Sequence, residues 1–137
     1  MIYNKIADDT KVLAKVKTIR ANGGDVSVSF GGYNGIDLGH ACGDVNSLAN
    51  AIQIVIDKYS LTNVDFDVEH DNLGNVPEEN RRFQAIKLLR KKAEANGKKL
   101  FVTLTLPATT IGLSDLGKGE IGRGIESGAN VDLYKIM

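Results

Sequence analysis

The chain has 137 residues, 42% hydrophobic and 25% charged, enough for one folded domain with a sizeable core. Its 17 lysines and arginines balance 17 aspartates and glutamates, and this zero net charge argues against nucleic acid or an anionic membrane as the main partner. No apolar run approaches the roughly 18 residues of a membrane span, residues 1–5 open no signal-peptide core, and the single cysteine, Cys42, excludes an intrachain disulfide and reads as a small buried apolar group.

Taken in chain order, the pattern alternates helices and strands. Residues 8–21 place Val12, Leu13, Val16 and Ile19 at helical spacing and close on Asn22-Gly23-Gly24. Residues 26–30 then alternate Val26, Val28 and Phe30 with Ser27 and Ser29, and break into Gly31-Gly32-Tyr33-Asn34-Gly35. A second helix opens with Asp44 as N-cap and lines up Leu48, Ile52, Val55, Ile56 and Tyr59. Next comes Val64-Asp65-Phe66-Asp67-Val68-Glu69, followed by a loop over residues 70–76. Pro77, with Glu78 and Glu79, starts a third helix whose stripe is Phe83, Ile86, Leu89 and Ala93, with Leu88 at its edge. It ends at Asn96-Gly97. A strand over residues 100–106 stops at Pro107, and a glycine-rich, weaker helix covers 114–128. A last strand begins near Val131.

Strand starts therefore recur about every 30–40 residues, the spacing of βα units in a (β/α)8 barrel. The expected fold is α/β, with four parallel strands forming part of a TIM barrel. The acidic segment is the most telling feature. On a strand, Asp65, Asp67 and Glu69 share one side, with successive carboxylates roughly 6–7 Å apart. Val64, Phe66 and Val68 share the other and suit packing under helices. Three like charges on one face repel and are costly to desolvate, so the row points to chemistry rather than to folding. Ser27 and Ser29 on one neighbouring strand, and Phe101, Thr103 and Thr105 on another, extend the same polar side. An ordinary barrel interior is filled by branched apolar side chains, and barrel enzymes keep their active sites at the C-terminal strand ends.

Ser29-Phe30-Gly31-Gly32 resembles the Ser-x-Gly-Gly motif of glycoside hydrolase family 18, the chitinases. The acidic strand resembles that family's Asp-x-x-Asp-x-Asp-x-Glu motif. The stretch 23–137 is similar to bacterial-type and fungal secreted members, supported by residues 24–32, 44–49, 81–86 and 103–107 in collinear order. The resemblance implies that residues 1–137 are a single, partial catalytic domain acting without metal or organic cofactor. The substrate it implies is chitin or N-acetylglucosamine oligosaccharides, cleaved at β-1,4 linkages with retention, and the setting it implies is extracellular. Glu69 would be the general acid, which a neighbouring like charge helps to keep protonated. Asp67 would orient the substrate's 2-acetamido group, and Asp65 would share a proton or hydrogen bond with Asp67. Ser29 would donate to these aspartates, and Gly31 and Gly32 would let backbone approach the sugar. Tyr33 would either stack on sugar or pack, and Thr105 and Met137 complete the substrate-binding set.

Departures from the family pattern are informative. Thr62-Asn63 replaces its leading Asp-Gly, and the strand resembling Met-x-x-Asp-Tyr reaches only Met137. Lys135 would share the face of Met137, an odd inward residue, and there is no tryptophan to floor a sugar site. A non-hydrolytic chitin-oligosaccharide-binding or structural half-barrel is the competing reading, with two copies forming a homodimer that completes a barrel. A phosphate-cradle reading of Gly31–Gly35 lacks a following Lys-Thr pair, and His40 and His70 are too few and too isolated for a metal site. The run Lys87, Arg90, Lys91, Lys92, Lys98 and Lys99 reads as a solvated helix face.

Overall fold

The computed structural model describes residues 6–137. Met1 to Lys5, where the sequence opens no apolar core, lie outside the described residues. Helix α1 (Lys11–Ala21) leads into β1 (Val28–Gly31), a short α2 (Leu38–Ala41), α3 (Val45–Tyr59) and β2 (Asn63–Asp67). Helix α4 (Val76–Ala95), β3 (Phe101–Leu106) and the strand pair β4 (Ala108–Thr109) and β5 (Gly112–Leu113) follow, then α5 (Asp115–Glu126) and β6 (Leu133–Ile136). The main sheet has the order β1-β2-β3-β6, and every pairing in it is parallel. Parallel neighbours joined through helices are successive βα units, as in a (β/α)8 barrel.

The helices form where capping and periodicity coincide. Asp44 Oδ1 accepts from the Ser47 N–H at 2.9 Å, and the stripe Leu48, Ile52, Val55 and Tyr59 is buried, as the spacing predicted. Asp9 does the same for α1, accepting from Val12 and Leu13 N–H groups at 3.1 Å. The predicted stripe of α1 is only partly used, since Val16 is buried while Val12 and Ile19 are exposed. Against these helices lies one face of the sheet, with Val64, Phe66 and Val68 of the acidic segment and Val102, Leu104 and Leu106 of β3 all buried. Phe83, Ile86 and Leu89 of α4 pack into the same core.

Several local features differ from expectation. The loop after β1 contains α2, where Asp37 caps the Gly39 N–H at 2.5 Å. Beyond Pro107, in a stretch for which the sequence pattern predicts no element, the chain turns back in the β4–β5 pair. Lys87 and Arg90 do not belong to a solvated face. Lys87 Nζ donates to the Ser127 carbonyl at 3.0 Å, and Arg90 donates to the Asn130 carbonyl at 2.5 Å and pairs with Asp132. These bonds tie α4 to the segment entering β6.

The glycines of α5 also have one clear structural reason. A Cβ on Gly124 would lie 2.5 Å from Tyr134 Oη and 3.1 Å from the Phe83 ring. The helix gives up intrinsic propensity there so that it can approach the sheet closely.

Candidate functional site

The strand register sets two polar rows on the face away from the helices. Ser29, Asp65, Thr103 and Leu133 are aligned across the sheet, and one step toward the C-terminal ends lie Gly31, Asp67, Thr105 and Lys135. Side chains alternate faces along each strand, so the aligned residues of both rows project to the same side. The expected separation of apolar and polar faces is therefore the observed one.

Asp65 is buried and held from three strands. Ser29 Oγ donates to Oδ2 at 2.6 Å, Thr105 Oγ1 donates to Oδ1 at 2.8 Å, and Lys135 Nζ is 3.4 Å from Oδ1. The expected donation from Ser29 is thus made, and Lys135 does point inward. The expected hydrogen bond between Asp65 and Asp67 is not made. Asp67 Oδ1 is buried and has no hydrogen-bond partner. The reason is competition: hydroxyl and ammonium donors from β1, β3 and β6 already occupy Asp65. Burial first, and then the charges of Glu69 and Asp65, push the Asp67 carboxyl above its ordinary value, while Lys135 works in the other direction.

Beside Asp67 the backbone is drawn in closely. Gly31 has φ 102° and Gly32 φ 84°, and the Gly32 N–H donates to the Asp67 carbonyl at 2.9 Å. A Cβ on Gly31 would meet that carbonyl oxygen at 2.3 Å, which no backbone tolerates without shifting. Gly31→Ala is expected to lower stability by about 2–4 kcal/mol, read as a fall in the thermal unfolding midpoint. An unchanged midpoint would show that the β1–β2 junction can relax.

Beyond β2, Glu69 is half-buried and leads into a single 3-10 turn, His70–Asn72. An open cleft of about 380 Å³ lies there, lined by Gly32, Tyr33, Ile36, Glu69, His70 and Asp71 among others. Tyr33 is 69% exposed, and its ring stands edge-on to that of His70 with centroids 4.4 Å apart. Thr105, expected to bind substrate, is turned to Asp65 instead of the cleft. Met137 continues the ladder, donating its N–H to the Leu106 carbonyl at 3.1 Å, with its side chain exposed. Among the described residues no set of three or more His, Cys, Asp or Glu side chains is placed to hold a metal ion.

The far wall of the cleft was not legible as part of the site. Asp37, His40 and Glu78 line it, and His40 Nδ1 is 2.8 Å from Glu78 Oε1. Behind them Arg82 bonds Asp37 Oδ2 at 2.7 Å and Glu120 Oε1 at 2.5 Å, both buried. Glu79, also buried, accepts from the Gly74 N–H at 2.7 Å and from Arg123. Asp37 immediately before α2, capping it, is the only signal that could have pointed there.

No protein-family model matches the chain. It is 32% identical over 123 residues to a probable bifunctional chitinase/lysozyme of Escherichia coli (strain K12), an alignment covering 86% of this chain and 14% of that protein. It is likewise 32% identical over 123 residues to endochitinase 11 of Metarhizium anisopliae, covering 86% of this chain and 24% of that one. This chain thus spans less than a quarter of either curated relative's length. Among solved structures it superposes on active domain 2 of a thermostable chitinase from Pyrococcus furiosus, as catalytic-site mutants complexed with chito-oligosaccharides. The TM-score is 0.78 with 27% identity, over 93% of this chain and 39% of that one. In sequence and in fold, the chain is similar to part of a chitinase catalytic domain.

Proposed function

We propose that this chain is part of a family 18 glycoside hydrolase domain that cleaves β-1,4-linked N-acetylglucosamine oligosaccharides in an extracellular setting. The observation that carries the reading is the buried, unpartnered Oδ1 of Asp67, the last residue of β2, two residues before the half-buried Glu69. A buried carboxyl oxygen without a donor is costly, and a turn of the half-buried Asp67 side chain toward a ligand amide N–H would satisfy it. Glu69, which lines the cleft beyond the end of β2, would protonate a glycosidic oxygen bound there.

The chemistry follows from those two positions. As the glycosidic bond breaks, Glu69 gives its proton to the leaving oxygen. The substrate's own acetamido oxygen bonds to the anomeric carbon, and Asp67 accepts the N–H of the positively charged ring so formed. Water then adds to the anomeric carbon and gives up a proton to Glu69, the acetamido group is released, and the two inversions leave net retention. No resident cofactor takes part in this sequence. Similarity to chitinases, one of them solved with chito-oligosaccharides, supports the substrate class.

A non-hydrolytic oligosaccharide-binding role is the second reading. It is favoured by the sheet having β1 and β6 as its outer strands among the described residues, so that four strands supply the polar face. Incubating the 137-residue protein with chitotriose and a fluorogenic chitobiose glycoside separates the two. Fluorophore release, with the β-anomer formed first by NMR, is the expected result. Binding without release would favour the second reading, and neither binding nor release would overturn both.

A further inference from the structure

Among the described residues of the four main strands, Lys135 is the only lysine or arginine. It stands in the row of Gly31, Asp67 and Thr105, two strands away from Asp67. Its side chain crosses Thr105 and brings Nζ to 3.4 Å from Asp65 Oδ1, the oxygen that Thr105 Oγ1 also reaches at 2.8 Å. Ser29 holds the other oxygen at 2.6 Å. Carboxyl groups two residues apart on one strand face are close enough to compete for a shared proton. Here that sharing is replaced by donors from three strands, and the buried Asp67 oxygen is left without a partner.

We propose that Lys135 is a positioning residue for the acid row: with Thr105 and Ser29 it engages Asp65, so that the buried Asp67 oxygen stays unpaired and the half-buried Asp67 side chain can turn it to an amide donor of the bound sugar. The inference rests on the sugar-binding role given to Asp67 above. The groups that bear on Asp67 are Ser29 and Gly31 from β1, Asp65 on its own strand and Thr103 and Thr105 from β3. Lys135 comes from β6, and Glu69 follows β2, with Gly32, Tyr33 and His70 beyond the strand ends. Lys135 is the single cation in that set. Its charge opposes the combined repulsion of Glu69 and Asp65 at Asp67.

Two variants test this, Lys135→Met and Lys135→Arg. The Lys135 side chain is 49% exposed, so neither substitution threatens the core. The readout is the carboxyl-carbon NMR titration of Asp67 in full-length protein carrying labelled aspartate, which requires no activity. In Lys135→Met the Asp67 midpoint is expected to rise by about half a pH unit or more, with Lys135→Arg returning toward the parent. Chitotriose affinity is expected to weaken several-fold in the Met variant and to recover in the Arg variant. An unmoved midpoint in Lys135→Met, or identical behaviour of the Met and Arg variants, would overturn the proposal. If the midpoint moves as expected but the parent protein binds no chitotriose, the control of Asp67 by Lys135 stands and the sugar-binding reading falls.

Discussion

Replacing Glu69 with glutamine is expected to lower hydrolysis of chitotriose by about 10²–10⁴-fold, the usual contribution of a positioned general acid. Glutamine keeps the size and hydrogen-bonding reach of the side chain but has no proton to give, so affinity for the oligosaccharide should stay within a few-fold of the parent. The loss should also depend on the leaving group. A sugar leaves as a strongly basic alkoxide unless it is protonated, whereas an acidic phenol leaves with little help. The ratio of parent to variant rates should therefore be large for chitotriose and much smaller for a dinitrophenyl glycoside of N-acetylglucosamine. Equal losses on both substrates would remove Glu69 from the acid role and point to a positioning effect.

The part of this molecule that bears on such a test is also the part most legible in the sequence. Alternation in 64–69 sets which side chains share a face, and the same alternation within their own segments puts Ser29 and Thr105 on the polar side of the neighbouring strands. The helices that cover the apolar face were readable for the same reason, through the stripe of α3 and the cap at Asp44. What escaped was whatever depends on distant partners. Helix α4 buries Glu78, Glu79 and Arg82 along with Phe83 and Ile86, so its inner face does not look apolar. Arg82 meets Glu120 and Asp37 at separations of 38 and 45 residues, which no periodicity encodes. Helix α2 and the β4–β5 pair are too short to carry a period. Asp65 posed a different problem. The sequence put two acids on one face, and only the positions of Thr105 and Lys135 decided that Asp65 would bond to them and not to Asp67.

The second large effect should come from Arg82, which lies between the cleft wall and the helix layer. It is 1% exposed, and it faces two buried carboxyls that have no other cation as close among the described residues. Arg82→Met retains much of the packed volume but strands Asp37 and Glu120, and the cost should be about 3–5 kcal/mol. For a chain of this size that corresponds to a fall in the unfolding midpoint of roughly 10 °C or more. The charge count of the cluster explains a linked pH effect. Burial above all, reinforced by the neighbouring Glu79, pushes the Glu120 carboxyl up to about 8, against the opposing attraction of Arg82. Glu79 remains below its ordinary value: burial works against it, but hydrogen bonds from Arg123 and the Gly74 amide prevail. At neutral pH Arg82 and Arg123 then balance Asp37 and Glu79, with Glu120 uncharged. A carboxyl raised in this way stabilises the fold fully below its unfolded value near 4.5, and the contribution is lost as pH rises through about 8. The parent's unfolding midpoint should consequently drop as pH rises from about 4.5 to about 8 and level off above it, and Glu120→Gln should flatten that limb. A parent midpoint constant across the range would show that Glu120 is already ionised beside Arg82. In that case Arg82→Met should cost still more, because it would leave a full buried charge without its partner.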